Sequence, residues 1–403
     1  MFVDTAARPN WPVLTPARRV LDALASRLTS GVLTVTLPSG ERASYRGAEP
    51  GPAADIRIHR LRAFRRLLTG GDIGFAQSYL DGDWDSDDLV ALIELGAQNE
   101  ASLGRAIEGR IWTRALNRGL HLLRRNTKRG SRRNIAAHYD LGNKFYRLWL
   151  DPTMTYSAAL FAEPGETLEA AQERKYARMA EIAGLRPEHE VLEIGCGWGG
   201  FCVWAAREIG CRVTAVTISQ SQYDYARARI AAAGLSGRVE VRLQDYRDLR
   251  NHYDRIVSIE MLEAVGERYW PVFFETLRAR LTPGGRAALQ VITIDDAAFP
   301  AYRDRADFVQ RYVFPGGMLP SPSALRAAVG AAGLTWERDS DHGADYARTL
   351  VDWHWRFEQA WPEIAALGFD ERFHRLWRYY LAYCEAGFRS GRVGLMRLGL
   401  SRP

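Results

Sequence analysis

Glu193-Ile-Gly-Cys-Gly-Trp-Gly-Gly200 is the stretch whose residue types could most directly do chemistry. It joins an apolar run, Glu190 to Ile194, that reads as a strand to a segment from Phe201 that reads as a helix. Glycines at such a junction, Gly195 and Gly197 among them, let the backbone turn sharply and approach a ligand. An anionic part of that ligand would meet the N-terminus of the following helix. The alternative is a tight turn with no ligand, and the flanking strand and helix weigh against it. A dinucleotide site would carry a similar loop, but it would place an acid at the end of the second strand for the ribose hydroxyls. This chain has Thr217-Ile-Ser-Gln-Ser-Gln222 there instead. Gln244-Asp245-Tyr246, after a third strand, adds polar groups of the kind that bind an adenine edge.

The spacing GxGxGG in an ExGCGxG setting is typical of S-adenosylmethionine (SAM) enzymes, not of NAD enzymes. Positioning such a loop takes a sheet, and the surrounding chain alternates strand and helix signals. Arg212–Ile218, Val239–Leu243, Asp254–Ile259 and Gly285–Ile294 read as further strands, with helices over Gln220–Ala233 and Trp270–Leu281. That alternation predicts an α/β, doubly wound, Rossmann-like parallel sheet. Residues 295–345 interrupt it with an aromatic-rich and Pro/Gly-rich insertion, and Tyr346 to Cys384 reads as helical. The first part of the chain differs. Gly31–Leu37 alternates like a strand, Pro38-Ser-Gly40 is a turn and Glu41–Tyr45 could return as its hairpin partner. Amphipathic helices follow near Arg60–Leu68, Ile73–Tyr79 and Ser86–Leu95. The predicted organisation is a small α+β N-terminal domain over residues 1–120, an Arg-rich linker over 121–133 and a catalytic α/β domain over 134–403.

With 403 residues and 47% hydrophobic content, the chain is long enough for such cores and is not disordered. No apolar run reaches the length of a membrane span. Met1–Arg19 lacks the layout of a secretory signal. Cys196, Cys202, Cys211 and Cys384 form no CxxC pair, so reduced thiols in a cytoplasmic protein and no metal site are expected. The 54 Lys+Arg exceed the 48 Asp+Glu to give +6, and lysine occurs only at 128, 144 and 175. The excess is concentrated. Between Arg105 and Arg133 the only acid is Glu108, and Arg57, Arg60, Arg62, Arg65 and Arg66 form an earlier cluster. A solvated linker and an anionic membrane surface both suit such a run. No signature of a nucleic-acid-binding module accompanies it, so nucleic acid is not expected.

Residues 134–403 resemble the cyclopropane-fatty-acid synthase and mycolic acid methyltransferase family. The matching stretches include Ala137-His-Tyr-Asp-Leu-Gly-Asn143, Leu150-Asp-Pro-Thr-Met-Thr-Tyr-Ser157, Val191 to Phe201, Met261-Leu-Glu-Ala-Val-Gly266, Phe308 to Ser321, Asp345 to Leu350 and Tyr383 to Phe388. The resemblance implies a class I SAM methyltransferase fold. It also implies methyl transfer to a cis double bond of an unsaturated phospholipid acyl chain, leaving a carbocation at the other olefinic carbon. In cyclopropane synthesis, bound bicarbonate then takes a proton from the new methyl group. By matching position, Tyr156, Ser157, Gly195, Gly197, Thr217, Gln222, Gln244 and Asp245 are implied SAM contacts, with His138 on the cofactor side. Glu263, Tyr346 and the backbone of Ile292 match the bicarbonate site. The N-terminal module resembles the extra domain of the bacterial phospholipid enzymes. This implies a cytoplasmic protein docked peripherally on the inner membrane face, and self-association as a homo-oligomer stays open.

Two positions depart from the family pattern. The ion-site cysteine is Ala158 here and the histidine is Gln290. Neither can act as an acid or base, so proton removal from the methyl group should weaken. The expected product is therefore a methyl-branched or methylene acyl chain, with cyclopropane as the alternative if Gln290 and Glu263 still hold the ion. A small-molecule N- or C-methyltransferase is a further alternative, because plant alkaloid N-methyltransferases share this catalytic domain. A lipid-binding protein without catalysis is disfavoured by the intact SAM loop. A cation in an apolar tunnel calls for aromatic faces, for which Phe308, Tyr312, Phe314, Trp353 and Phe357 are candidates, though each would serve equally as core.

Overall fold

The computed structural model describes residues 16–107 and 141–403. His138, most of the Arg-rich stretch and the expected boundaries at 120 and 134 lie outside the described residues. The chain separates into two compact units, Met1–Thr113 and Arg114–Pro403.

The first unit contains α1 (Pro16–Ala25), β1 (Ser30–Thr36), β2 (Arg42–Arg46), β3 (Glu49–Ile58), α2 (Arg62–Leu80), β4 (Trp84–Asp85), α3 (Leu89–Gln98) and α4 (Glu100–Ile107). Its sheet runs β2-β1-β3-β4, with β1 and β2 forming the expected antiparallel hairpin and β1 pairing β3 in parallel. Strand β3 escapes a pattern search because Glu49-Pro-Gly-Pro52 carries the wrong residues for a strand; long-range pairing overrides propensity. The two helices expected over 60–79 are one element broken at Gly71, whose φ of 61° suits glycine. The third starts at Leu89 rather than Ser86, where Asp88 caps it by accepting from the Ala91 N–H. Trp84 is fully buried, stacks on Phe75 at 4.2 Å and donates through Nε1 to Ser78 Oγ at 2.9 Å.

The second unit holds a seven-stranded sheet ordered β10-β11-β9-β8-β5-β6-β7. After α5 (Asn143–Trp149) and α6 (Leu168–Ala183) come β5 (Glu190–Ile194), α7 (Gly200–Trp204), β6 (Arg212–Thr217), α8 (Gln220–Ala232), β7 (Val239–Leu243) and β8 (Tyr253–Ile259). Then follow α9 (Trp270–Arg280), β9 (Leu281–Ile294), α10 (Phe299–Arg303), α11 (Phe308–Tyr312), α12 (Pro322–Ala331), β10 (Thr335–Asp341), α13 (Gly343–Ala366), α14 (Glu371–Arg389) and β11 (Val393–Ser401). Strands β5 to β9 are mutually parallel, and β11 and β10 add antiparallel pairings at one edge. This is the Rossmann-like arrangement expected. Successive residues feed opposite faces: Ile256 and Leu289 pack with Phe273, Phe274 and Leu277, whereas Val257 and Ala288 pack with Tyr176, Met179 and Phe201. Strands buried on both faces explain the near-continuous apolar runs in the sequence.

Three expectations need correcting here. The segment 295–345 includes a strand, β10, whose polar Thr-Trp-Glu-Arg-Asp-Ser-Asp hides it from an apolar pattern. The helical stretch 346–384 is two packed helices, separated near Gly368 at φ 100°. Strand β11 was not anticipated, because its two glycines and one arginine dilute the signal; full-length pairing with β9 makes it a strand.

Candidate active site

Strand order reverses beside β5, with β6 on one side and β8 on the other, which opens a crevice at the carboxyl ends of these strands. Six of the sequence-predicted cofactor residues lie there. Gly195 follows β5 with φ 85°, and a Cβ on it would meet Met261 Cγ at 2.8 Å, so only glycine fits. Its N–H and that of Cys196 both donate to the Val216 carbonyl, at 3.0 and 3.1 Å, which binds the loop to β6. Gly197, at φ 51°, faces open space. Thr217 closes β6; its Oγ1 donates to Gln222 Oε1 at 2.8 Å and accepts from the Ser219 N–H at 3.2 Å. Ser219 in turn caps α8. Gln244 lies beside them, its N–H donating to the Thr217 carbonyl at 2.9 Å. Asp245 is buried and already engaged by Arg247, with Nε at 2.8 Å and Nη2 at 2.6 Å.

Tyr156 and Ser157 come from the loop between α5 and α6. The Tyr156 and Tyr380 hydroxyls lie 2.8 Å apart, and Ser157 Oγ accepts from the fully buried Lys175 Nζ at 2.7 Å. Ser157 is thus tied to a cation on α6 rather than left exposed. His138 is outside the described residues.

A second cluster lies at the ends of β8 and β9, and its centre is a residue that the sequence reading passed over. Glu260 follows β8 with φ 50°, an unusual conformation for a side chain of this kind. Its Oε1 accepts from the Ala158 N–H at 2.8 Å and from Gln290 Nε2 at 2.6 Å. Its Oε2 accepts from the Tyr346 hydroxyl at 2.7 Å. Loss of water around the carboxyl raises its pKa, while the Tyr346 hydrogen bond, the Lys175 charge and the other two donors oppose the rise. One turn on, Glu263 Oε1 accepts from the Ile292 N–H at 2.5 Å and Oε2 has no partner. Burial and then the neighbouring Glu260 charge raise Glu263 to about 8. Burial lowers Lys175 to about 7, against the pull of Glu260.

The residues expected at the ion site therefore divide. Gln290, Tyr346 and the backbone at Ala158 converge on Glu260, whereas Ile292 serves Glu263. Glu260, Lys175 and Arg397 were missed. The available signals were an acid directly after an apolar strand and one of only three lysines set in a helix with a buried face. Tyr346 stacks on Phe388 at 4.3 Å, and Trp353 lies edge-on to it at 6.1 Å and 5.2 Å from Tyr156. Phe314 lies 6.3 Å from both Tyr156 and Tyr380. Phe308 packs with Tyr379 and Tyr383, and Phe357 with Phe145 and Trp377, as core.

A glycine loop built for close approach and a carboxylate held by neutral donors now share one crevice. A family model described as mycolic acid cyclopropane synthetase matches residues 126–398. The chain belongs to this family. It is 39% identical to tuberculostearic acid methyltransferase UfaA1 of Mycobacterium tuberculosis, over 100% of this chain and 99% of that protein. It is 36% identical to the cyclopropane-fatty-acyl-phospholipid synthase of Escherichia coli K12, over 87% of this chain and 88% of that one. Among solved structures it resembles mycolic acid cyclopropane synthase CmaA1 complexed with SAH and CTAB, with TM-score 0.63 and 29% identity over 67% of this chain and 98% of the other. The protein is thus a SAM-dependent enzyme of the mycolic acid cyclopropane synthetase family. Its crevice fits the cofactor: Gly195 admits no Cβ, Gly197 leaves room, and Thr217 fixes the Gln222 amide. It does not fit a bicarbonate held by Gln290, Tyr346 and the Ala158 backbone, because those donors already hold Glu260.

Proposed function

We propose that this enzyme methylates the cis double bond of an unsaturated phospholipid acyl chain and delivers a methyl-branched olefin or a methylene product rather than a ring. The observation that carries this reading is the Glu260 carboxylate on the three donors at 2.6–2.8 Å that correspond to ion-site positions in the family pattern. The proton acceptor is then part of the chain. On this reading a fixed carboxylate takes the place of a bound ion.

Bound SAM supplies an electrophilic methyl group. Gly195, Gly197, Thr217, Gln222, Gln244, Asp245, Tyr156 and Ser157 are the proposed holders. The olefin's π pair forms the new C–C bond and leaves a cation on the neighbouring carbon, where Tyr156, Trp353 and Tyr346 offer ring faces to steady it. Three hydrogen bonds fix the Glu260 carboxylate in place, so it cannot follow the methyl group as a mobile ion could. Before a proton is lost, the hydride on the methylated carbon moves, with its electron pair, onto the cationic carbon. Loss of a proton from the methyl group to Glu260 leaves a methylene (=CH2) branch, and loss from a flanking chain carbon leaves a methyl-branched olefin. Ring closure would need the methyl C–H pair to attack first. The name of the relative that matches the full chain, a methyltransferase rather than a cyclopropane synthase, supports the same outcome.

We assign the first unit to docking on an anionic membrane surface, with the protein on the cytoplasmic face. Among the described residues no helix is long and apolar enough to cross a membrane. Support comes from α2, where Leu68 is 37% exposed close to the exposed Arg65, and from the adjoining Leu61, which is 53% exposed. Each cation near such a surface contributes about 1 kcal/mol.

Incubation with labelled SAM and defined unsaturated phospholipids, followed by mass and NMR analysis, tests the reaction. Olefinic methylene or methyl-branch signals are expected, and a high-field cyclopropane signal would overturn the product assignment. Neutralising Arg124, Arg125, Arg129, Arg132 and Arg133 should weaken sedimentation with anionic vesicles and leave SAM affinity unchanged. Equal loss of both would make the stretch structural.

A further inference from the structure

Arg397 sits in β11 directly opposite Gln290 in β9, and its side chain is fully buried. Its Nε donates to Gln290 Oε1 at 2.6 Å and its Nη2 to the Ala159 carbonyl at 2.8 Å, while Nη1 has no partner. Among the described residues no carboxylate lies within ion-pair distance of this guanidinium. A buried cation without a contacting counter-ion is costly, so a purely structural role explains it badly. Its nearest use is through the amide. Gln290 Nε2 donates to Glu260 Oε1 at 2.6 Å and to the Ala158 carbonyl at 3.2 Å.

A glutamine amide has one accepting end and one donating end, and turning it over exchanges them. With Oε1 facing Glu260, the amide would set its single oxygen against both a carboxylate oxygen and the Ala158 carbonyl, and turn its NH2 toward the guanidinium. A guanidinium can only donate, so it holds Oε1 on its own side. The same side chain grips the Ala159 carbonyl, one peptide beyond the Ala158 N–H that also donates to Glu260.

We propose that Arg397 is a positioning residue for the proton-accepting carboxylate: it locks the Gln290 amide and the 158–159 backbone so that both donate to Glu260. The inference rests on the reading of Glu260 as the base. The charged or titratable groups around that carboxyl are Tyr346 with its neighbour Asp345 from α13, Lys175 from α6, Glu263 from the turn after β8, and Arg397 from β11. Asp151 and Glu193 lie further out, around Lys175. Among the described residues only Arg397 contacts the far end of the amide.

The test uses the full chain with SAM and vesicles of unsaturated phospholipid. Arg397→Met should lower kcat at neutral pH about 30-fold, a fraction of what loss of a general base costs. KM for SAM should hold within about twofold, and the acid limb of the pH–rate profile should rise by about one unit, because the carboxylate loses a fixed donor. Arg397→Lys, which also only donates, should recover most of the rate, whereas Arg397→Gln, which can face the amide either way, should not. Adding Gln290→Met to Arg397→Met should cost no more than Gln290→Met alone. An acid limb that stays put, or losses that multiply, would overturn the proposal. If Arg397→Met fails to fold, the contrast between the Lys and Gln variants decides it. Glu260→Gln separates the two levels: an active Glu260→Gln enzyme sinks the base reading itself, whereas an inactive one beside a silent Arg397→Met sinks only this inference.

Discussion

Asp83, just before β4 in the first unit, and Glu260, just after β8 in the second, are both carboxylates at a strand end, and they are treated in opposite ways. Asp83 is fully buried and touched directly by three guanidinium groups, Arg62 at 2.7 Å and Arg60 and Arg66 at 3.4 Å. Glu260 is half-buried, and its oxygens meet only neutral donors. The two nearby basic groups bond elsewhere, Lys175 to Ser157 and Arg397 to Gln290. A carboxylate neutralised by contact is fixed as architecture. One held by neutral groups, with its positive charges at one remove, stays ionisable and can still accept a proton. The catalytic unit keeps its cations close enough to sustain the charge and too far to quench it.

The sharpest way to break that contrast is Glu260→Gln. Turnover should fall by about 100-fold to 1000-fold, the range for loss of a general base, while SAM binding measured by calorimetry persists. Added bicarbonate should not restore the rate. Rescue by bicarbonate would mean that Glu260 merely fills an ion site and that the family's usual chemistry remains available underneath.

Asp83→Asn should do the reverse. Asp83→Asn removes the buried charge that three partly solvent-exposed guanidinium groups contact, one of which keeps Asp81, at a cost of about 1 kcal/mol in the first unit. The loss should appear in denaturant unfolding of that unit, with SAM affinity unchanged. If SAM affinity fell in step with stability, the separation of an architectural carboxylate from a reactive one would collapse.

The same contrast marks what could be read from the sequence. The glycine loop, the parallel strands and the Thr217–Gln222 pair were legible because each is local: glycines at a strand–helix junction and apolar runs announce themselves within a few residues. Glu260 was not, since nothing in Ser258-Ile-Glu-Met261 says that Ala158, Gln290 and Tyr346 will arrive around it from 30 to more than 100 residues away. Arg397 was hidden more deeply, in a strand whose existence depends on pairing with β9. Position matching found Gln290, Tyr346 and Ile292 but assigned them to one centre, and the fold divides them between two carboxyls. Strand β3 escaped for the same physical reason as β11, a register contributed by a partner rather than by its own residues.

The smallest effect separates those two carboxyls from each other. Glu263 has one oxygen on the Ile292 N–H and the other without a partner, beside Glu260. Its pKa is about 8 in the fold against 4.5 as the ordinary value, raised by burial first and by Glu260 second. A carboxyl raised in this way is favoured by folding in its neutral form. The stability it contributes is fully present below its unfolded pKa and is lost as pH rises through its folded one. Native protein should therefore lose melting temperature between about pH 4.5 and 8, and Glu263→Gln, which stays neutral throughout, should lose less. Lys175, lowered to about 7, titrates in the same window but is present in both proteins, so the difference between the two curves reports Glu263. Parallel curves would mean that Glu263 is already ionised at neutral pH. Glu260 and Glu263 would then carry charge side by side, and the division of labour between a charged acceptor and a neutral neighbour would have to be abandoned.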